Sequence, residues 1–429
     1  MMSGTRAIPS VLRHSAAPYL SVLAVVLVLG RFIGYLSPQA VLLKGQSPSI
    51  VLIFAAFGLS AVLWFLVKDR PRARGPFAWF LIAMSVAWVA HLLVSLLHGD
   101  LFNHTAWLYV PILLMIFFKP PKVTEGWVAL QALGWATALA LVVTRLLEIL
   151  GAIPIMYVPQ WIIDLEKGIY WLPLSGYLGL DGRWPGPFGH NGTTAMMGAL
   201  LVVLAFARWS KSSWVFLVVG VLTLLLTGGR ASVGASVLGI AVVAIFATRG
   251  PLSKVPLWLR IIGGCVFVVV AAFAMLSGDA GSSGRQGFWP AFLELWQTSI
   301  WVGVGGTGIA VSGGITQEYE HAHNMYIDEL ARYGIFGFVT QFLALGIGIF
   351  ILFKAALRGL AGPLALVAAF AVTALTEPRN DWVHPSVTGF MLILAVAVAG
   401  AQLVTPEDSG GQDKVHEEGA LPSGDTLSR

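Results

Sequence analysis

Residues 283–338 read SGRQGFWPAFLELWQTSIWVGVGGTGIAVSGGITQEYEHAHNMYIDELARYGIFGF. This stretch interrupts a chain that is otherwise apolar over long runs, and it contains arginines, histidines, an asparagine and neighbouring acids. Ionisable residues are costly in lipid, so a group of them in a membrane protein marks a place of binding or chemistry. The remaining sequence decides whether this chain is such a protein.

The composition is that of a polytopic membrane protein. Of the 429 residues, 57% are hydrophobic and only 11% are charged, whereas a soluble domain carries about 25% charged residues. The apolar runs exceed the alternating segments of about ten residues that build membrane barrels. The single cysteine, Cys265, excludes an internal disulfide and a thiolate metal site. The basic residues lie in short loops, where they report topology rather than nucleic-acid binding. The sequence therefore predicts an all-α membrane protein.

Twelve apolar runs approach the roughly 20 residues that cross a bilayer. They lie at 19–36, 48–67, 76–97, 105–118, 127–150, 192–207, 213–228, 231–248, 261–277, 334–353, 360–376 and 386–404. We expect a cytoplasmic N-terminus at 1–18 and a disordered cytoplasmic tail at 405–429. Between them we expect nine spans within 19–277, a large outer loop with amphipathic helices at 278–333, and three spans within 334–404.

The basic residues set the orientation. With the N-terminus inside, 17 of the 26 Lys and Arg fall in cytoplasmic segments, as the positive-inside rule requires. The outer segments hold seven: Lys44, Lys167, Arg183, Arg230, Arg285, Arg332 and Arg379. Four polar segments then face the outside, which is periplasmic or extracellular; they lie at 151–191, 227–232, 278–333 and 377–385.

The first outer loop ends in GRWPGPFGHNGTT at 182–194, a turn-rich path into the sixth span. Its polar residues Arg183, His190 and Asn191 are candidates for substrate contact. The alternatives are that Asn191 caps that span and that Arg183 meets lipid headgroups. Upstream, Pro159–Tyr170 mixes apolar and charged residues in the manner of an interfacial helix.

A tight hairpin, Thr227-Gly228-Gly229-Arg230, joins the seventh and eighth spans. Its small residues let an anionic group approach the backbone, and the first amides of the eighth span point toward that group with a favourable dipole. Arginine binds phosphate oxygens in a bidentate manner and keeps its charge. Arg230 is therefore a candidate phosphate ligand, the alternative being an arginine that snorkels at a helix end.

Two patterns precede the histidines of the large loop. Apolar and aromatic residues from Phe288 to Trp296 recur at spacings of one and three, which predicts an amphipathic helix next to Arg285. The glycine-rich run Gly303–Gly308 lacks the lysine of a P-loop and does not follow a strand, so it is a weak nucleotide signal.

The histidines His321 and His323 are two positions apart, so a helix would not place them on one face as a metal pair. No HExxH or EF-hand pattern occurs in the sequence, and we expect neither a metal nor a cofactor. The pattern turns helical from Asn324, which puts His323 at a helix start. A histidine there suits proton transfer from a hydroxyl near neutral pH; the alternative is a histidine that caps the helix or bonds a backbone carbonyl. Asp328 and Glu329 are expected to neutralise arginines.

The last polar segment is the compact turn TEPRNDWVHPS between the final two spans. Its Arg379 faces outward in the predicted topology. This residue either lines the rim of the site or belongs to a solvated turn.

The order of these motifs resembles the O-antigen ligase and O-antigen polymerase family of bacterial membrane glycosyltransferases. The shared pattern consists of a Gly/Pro loop with Arg183 and His190-Asn191, a Thr/Gly-Arg hairpin at Arg230, an aromatic outer helix, a GVGG-type loop, and His323-Asn324 followed by Gly334-Ile335-Phe336-Gly337. The resemblance covers roughly residues 180–340, and the earlier spans are generic.

The resemblance implies a helical bundle related to type-C glycosyltransferases, placed in the bacterial cytoplasmic membrane with its active site on the outer face. It implies a glycan donor on polyprenyl (undecaprenyl) diphosphate and an acceptor that is a lipid-anchored sugar or a second lipid-linked glycan. It implies no nucleotide sugar and no metal.

Residue roles carry over from the family as follows. Arg183, Arg230 and Arg285 are expected to hold the diphosphate, and His323 to act as base or to position the acceptor. Further candidates for substrate binding are His190, Asn191, His321, Asn324, Arg332 and Arg379. Relatives often have an acidic residue two positions before the first glycine of the GxxG motif, where this chain has Arg332. Glu329 is therefore not assigned that acidic role.

Three functions remain open at this point. A ligase-like transferase and a polymerase share the same donor chemistry, and the sequence pattern does not separate them. A transporter or flippase also fits twelve spans. However, transporter sites lie near the midplane, whereas the polar residues here gather on one face and the spans hold only Arg31, Arg145 and Glu148 as charges.

Overall fold

The computed structural model describes residues 15–36, 48–67, 71–99, 109–152, 184, 186–188, 191–246, 248, 254–276, 289–305, 311–312, 318–319, 322, 324–374 and 387–404. Within these ranges it contains thirteen α-helices. They are α1 (Ala17–Leu36), α2 (Pro48–Leu66), α3 (Gly75–Leu97), α4 (Tyr109–Phe118), α5 (Val123–Ile149), α6 (Asn191–Ala207), α7 (Ser213–Thr227), α8 (Arg230–Ile245), α9 (Leu257–Leu276), α10 (Trp289–Gln297), α11 (Met325–Leu357), α12 (Ala361–Ala374) and α13 (Val387–Val404). A 3-10 turn covers Gly186–Phe188, and strands β1 (Val311–Ser312) and β2 (Glu318–Tyr319) form a short antiparallel pair.

The helices agree with the predicted class. Each of the twelve predicted apolar runs contains one helix, and α10 lies where the amphipathic helix was predicted. Among the described residues, four helices (α3, α5, α11 and α13) are long and apolar enough to cross a membrane, and seven shorter apolar helices accompany them. The chain is therefore an all-α, multi-pass membrane protein, while the number of twelve spans stays a prediction.

Two helices form the centre of the bundle. In α13 every residue from Val387 to Gly400 is buried, and this helix packs against α5, α11 and α12. In α6 the residues from Thr193 to Ala205 are buried, and this helix packs against α7, α8 and α12. Large apolar side chains on the surrounding helices, such as Phe65 and Trp79, are exposed. Such a surface suits contact with lipid.

Hydrogen bonds join helix ends on the side predicted to be cytoplasmic. The hydroxyl of Tyr19 donates to the carbonyl of Lys119 at 3.0 Å, and the Lys119 ammonium donates to the carbonyl of Trp64 at 3.2 Å. Between the ends of α11 and α13, Arg358 Nη1 donates to the carbonyl of Leu403 at 3.4 Å. Each bond joins two ends that the predicted topology assigns to the same face.

Helix α11 starts nine residues before the predicted span and is interrupted at Gly334, whose φ of 62° and ψ of −166° are not helical. We call Met325–Tyr333 the first segment of α11. The interruption releases the carbonyls of Ala331 and Arg332 and the amides of Ile335 and Phe336 from their helical partners.

The turn 299–305 satisfies all four released groups. The amides of Val304 and Gly305 donate to the carbonyls of Ala331 and Arg332 at 3.0 and 2.9 Å. In return, the amides of Ile335 and Phe336 donate to the carbonyls of the turn residues Ile300 and Trp301 at 2.9 and 3.0 Å. The GVGG and GIFG motifs of the sequence are therefore two halves of one joint.

Glycine is required on both sides of this joint. A Cβ on Gly334 would lie 2.5 Å from the carbonyl oxygen of Trp301, and a Cβ on Gly303 would lie 2.3 Å from the carbonyl oxygen of Arg332. Both glycines also have a positive φ, which side-chain-bearing residues rarely adopt. Close backbone approach thus fixes the residue type at both positions.

We predict that Gly334→Ala lowers the free energy of unfolding by at least about 2 kcal/mol, because it adds backbone strain and separates the two backbones. The measurement is the thermal unfolding midpoint in detergent. Gly346→Ala is the matched control, since Gly346 lies in the same helix and a Cβ there would meet nothing within 4 Å. An equal midpoint for the two variants would contradict the joint.

Candidate functional site

The described residues include part of the predicted site. The side chains of Asn324 and Arg332 are described, and the backbone positions of Asn191 and Arg230 are the first residues of α6 and α8. The predictions for Arg183, His190, Arg285, His321, His323 and Arg379 lie outside the described residues, as does the interfacial helix predicted at 159–170.

Asn324 caps the first segment of α11. Its backbone is extended, and its side-chain oxygen accepts from the amides of Tyr326 at 3.0 Å and Ile327 at 3.3 Å. An N-cap of this kind satisfies amides that have no partner within the helix. The capping role considered for His323 therefore belongs to its neighbour, Asn324. A substrate contact by Asn324 would fall to its amide nitrogen.

Asp328 neutralises one of the predicted arginines. Arg332 Nε donates to Asp328 Oδ2 at 2.8 Å, one helical turn away, and both side chains are largely buried. The other carboxylate oxygen, Asp328 Oδ1, accepts from the amide of Ala322 at 3.2 Å. Asp328 thus connects the chain just before His323 to the helix that follows it. The substrate-binding role of Arg332 stays a prediction.

Helix α10 packs against Ala322 and against the first segment of α11. Phe292 is fully buried and forms a small apolar cluster with Ala322 and Ala331. The indole of Trp289 donates to the carbonyl of Ala322 at 3.1 Å. The predicted amphipathic helix is confirmed over Trp289–Gln297, and its apolar face packs on the start of α11.

The loop that carries Arg183 meets the hairpin that carries Arg230. Trp184, the residue after Arg183, donates its backbone amide to the carbonyl of Leu226 at 3.1 Å. Helix α7 ends one residue later at Thr227, Gly228 adopts a left-handed conformation, and α8 begins at Arg230. The two predicted phosphate ligands therefore lie close in sequence to this contact: Arg183 precedes Trp184 by one residue, and Arg230 follows Leu226 by four.

A buried carboxylate holds Trp184 in place. Trp184 Nε1 donates to the two carboxylate oxygens of Glu148, near the end of α5, with N–O distances of 3.0 and 2.9 Å. Arg145 Nη1 donates to Glu148 Oε2 at 3.0 Å. Glu148 is 2% exposed, so the charge of Arg145 offsets a carboxylate that has left water. Sequence analysis identified both charges within a span but not their partner Trp184.

The first turn of α6 completes this region. A Cβ on Gly186 would lie 2.6 Å from Thr194 Cγ2, and a Cβ on Gly229 would lie 2.5 Å from Ala195 Cβ. The glycines thus let the 3-10 turn and the hairpin pack directly on the helix that begins at Asn191. Segments next to three predicted site residues converge, as a common site requires.

One contact inside the bundle, between two ionisable side chains, was not foreseen from the sequence. His91 in α3 and Glu329 in α11 are both fully buried, and His91 Nε2 contacts Glu329 Oε1. The expectation that Glu329 neutralises an arginine is wrong, because its ion-pair partner is this histidine. The available signal was a lone histidine within an apolar span, which is a functional-site hypothesis in itself.

One comparison with known proteins bears on this site. Residues 215–342 match the family model described as O-antigen ligase. The match begins in α7, includes the Arg230 hairpin, and extends through the joint at Gly334 into α11. No curated protein sequence matches the chain. The family resemblance seen in the motifs is therefore confirmed over this part of the chain.

We predict that Trp184→Phe lowers the free energy of unfolding by roughly 1.5–3 kcal/mol, because it removes a hydrogen bond to a buried charged acceptor. The matched control is Trp135→Phe, since Trp135 lies on the same helix as Glu148 and is 46% exposed. Thermal unfolding in detergent measures both variants. If Trp184→Phe is no less stable than Trp135→Phe, Glu148 does not anchor the loop.

Proposed function

We propose that this chain, which carries an O-antigen ligase domain at residues 215–342, moves a glycan from a polyprenyl diphosphate carrier to a lipid-linked or cell-envelope acceptor. The reaction takes place on the outer face of the bacterial cytoplasmic membrane, without metal or ATP. The family match over residues 215–342 supports a membrane glycosyltransferase of the ligase or polymerase kind; donor, acceptor and sidedness are part of the same proposal.

The extent of the family match carries this proposal. It contains the Arg230 hairpin and the whole polar stretch 283–338 with Arg285, His323 and Asn324. The structure joins distant parts of that stretch through the turn 299–305 and the interruption at Gly334. Because the family match covers this folded polar region, it supports a catalytic role for the region.

The leaving group needs positive charge. A departing polyprenyl diphosphate carries negative charge, and fixed cations or amides that face it lower the barrier most effectively. Arg230 begins α8, so the amides of the first helical turn add to its guanidinium. Trp184, the residue after Arg183, bonds to Leu226 near the Arg230 hairpin, and this contact supports Arg183 as a second cation for the diphosphate. We assign both arginines to the diphosphate.

The acceptor hydroxyl must lose a proton. Its oxygen attacks the anomeric carbon, the bond from that carbon to the diphosphate oxygen breaks, and the hydroxyl proton passes to a base. His323 is assigned as this base because a histidine accepts protons near neutral pH. The adjoining Asn324 cap and the Asp328 bond to Ala322 support a fixed position for this part of the chain. The lipid diphosphate bond supplies the driving force.

The location of the buried charges favours a transferase over a transporter. His91 lies six residues before the end of α3, which is about 9 Å along a helix. Glu329 lies four residues after the start of α11, which is about 6 Å along a helix. A transport site lies near the midplane, whereas this pair lies in the outer part of its helices in the predicted topology.

We predict that Arg230→Ala lowers the rate of glycan transfer by about a hundredfold or more, since it removes charge that stabilises the leaving group. The assay uses the purified protein in detergent, a polyprenyl-diphosphate oligosaccharide, EDTA and no ATP. His323→Ala is tested in parallel. The matched control is Lys211→Ala, which removes one exposed positive charge next to the opposite end of α7.

The products separate the remaining functions. A single addition to the acceptor indicates a ligase, and a ladder of repeats indicates a polymerase. Full activity in the Arg230 and His323 variants would refute the assigned roles. No product from the wild-type protein with any acceptor, together with donor movement across a vesicle membrane, would make the protein a transporter.

We further predict that cysteines at positions 183 and 211 react with a membrane-impermeant maleimide from opposite sides in a Cys265→Ser background. Position 183 should be labelled in intact spheroplasts and position 211 only after permeabilisation. The reason is that the segments on the side of Lys211 hold 17 of the 26 Lys and Arg, which marks that side as cytoplasmic. Labelling of both positions from outside would refute the topology.

A further inference from the structure

His91 and Glu329 share a single proton within the bundle. His91 Nδ1 lies 2.6 Å from the carbonyl oxygen of Ala87, which only accepts, so Nδ1 carries a hydrogen. His91 Nε2 faces Glu329 Oε1. One further proton therefore lies on the histidine or on the carboxyl group, and the pair is neutral as a unit in either case. That neutrality lets two ionisable groups stay fully buried.

Two more side chains complete the network. The amide nitrogen of Gln341, oriented to satisfy its hydrogen bonds, donates to Glu329 at 2.6 and 3.2 Å. The ring of Tyr333 packs edge-on against the His91 imidazole at 4.1 Å, and its hydroxyl hydrogen-bonds Ser95. The network thus contains groups from α3 and from both sides of the interruption in α11.

Glu329 connects three parts of the bundle. Glu329 belongs to the first segment of α11, Gln341 lies beyond Gly334, and His91 belongs to α3. A non-helical residue such as Gly334 is a point at which the two parts of a helix can change their relative angle. The turn 299–305 joins the backbones at the break, and Glu329 links both parts of α11 to a neighbouring span.

We propose that His91 and Glu329 are positioning residues for glycan transfer. They fix the first segment of α11 against α3, and with it the Asn324 cap, which follows the assigned base His323 in the sequence. This inference rests on the function proposed above. The pair acts through hydrogen bonds rather than through net charge, because its shared proton leaves it neutral.

The neighbouring charges belong to a separate group. Asp328 and Arg332, which flank Glu329 in the first segment, pair with each other at 2.8 Å. Tyr333 is a further ionisable side chain that packs against His91. Changes at His91 or Glu329 therefore test this network without removing the Asp328–Arg332 pair.

The test compares Glu329→Ala, His91→Ala and Glu329→Gln in the transfer assay. We expect each alanine variant to lower kcat by about a hundredfold with little change in the KM for the donor, since a shifted catalytic segment loses alignment more than binding. Glu329→Gln should stay within roughly threefold of wild type, because a neutral His91 accepts from the new amide while Gln341 donates to its oxygen. Equal losses for Gln and Ala would refute positioning by hydrogen bonds.

Two controls account for the loss of a polar side chain. Ser85 in α3 and Thr340 in α11 donate to carbonyls of their own helices, at 2.9 Å to Leu81 and 3.0 Å to Phe336. Ser85→Ala and Thr340→Ala should keep wild-type kcat. A hundredfold loss in these controls would show that any polar deletion in these helices disables the protein, and would overturn the proposal.

Amide hydrogen exchange tests the pair independently of activity. In the alanine variants the amides of residues 325–333 should exchange at least about tenfold faster than in wild type, while Glu329→Gln retains protection. Unchanged exchange in both alanine variants would overturn the positioning role, even if transfer is lost. If the wild-type protein transfers no glycan, the proposed function fails, and the exchange rates still decide whether the pair holds this segment.

Discussion

The exchange of four backbone hydrogen bonds at Gly334 is the constraint on which this region depends. In a helix that enters a bilayer, an unpaired amide or carbonyl is expensive because no water replaces its partner. The turn 299–305 pairs all four groups released from α11. The interruption therefore persists only while the loop preceding α11 keeps its conformation. The glycine-containing turn 299–305 therefore helps to hold the first segment of α11, which begins after the Asn324 cap.

Buried carboxylates hold the two halves of the candidate site. Glu148 anchors Trp184 beside the Arg230 hairpin, and Glu329 anchors the first segment of α11 to α3. Each carboxylate has a cationic or protonated partner on a helix, which offsets the cost of removing it from water. Glu329, expected from the sequence to neutralise an arginine, instead holds the first segment of α11 against α3. The substrate-binding roles of Arg183, Arg230, Arg285, Arg332 and Arg379 stay predictions.

The helices were predictable because an apolar run of about 20 residues has few alternatives in a membrane. The amphipathic helix α10 was predictable from its aromatic spacing. The interruption at Gly334 was not, because GIFG is compatible with a helix and the partner turn lies about 30 residues upstream. The pairs His91–Glu329 and Trp184–Glu148 are separated by 238 and 36 residues. No local pattern reveals a partner at such a distance.

The most direct test of a common outer site is the position of a bound donor. Electron cryomicroscopy of the protein with a non-hydrolysable polyprenyl diphosphate glycan would locate the diphosphate relative to its protein ligands. We expect the diphosphate to lie between Arg183 and Arg230 at the start of α8, with the first sugar facing His323. A diphosphate bound away from these residues would show that they do not form the active site.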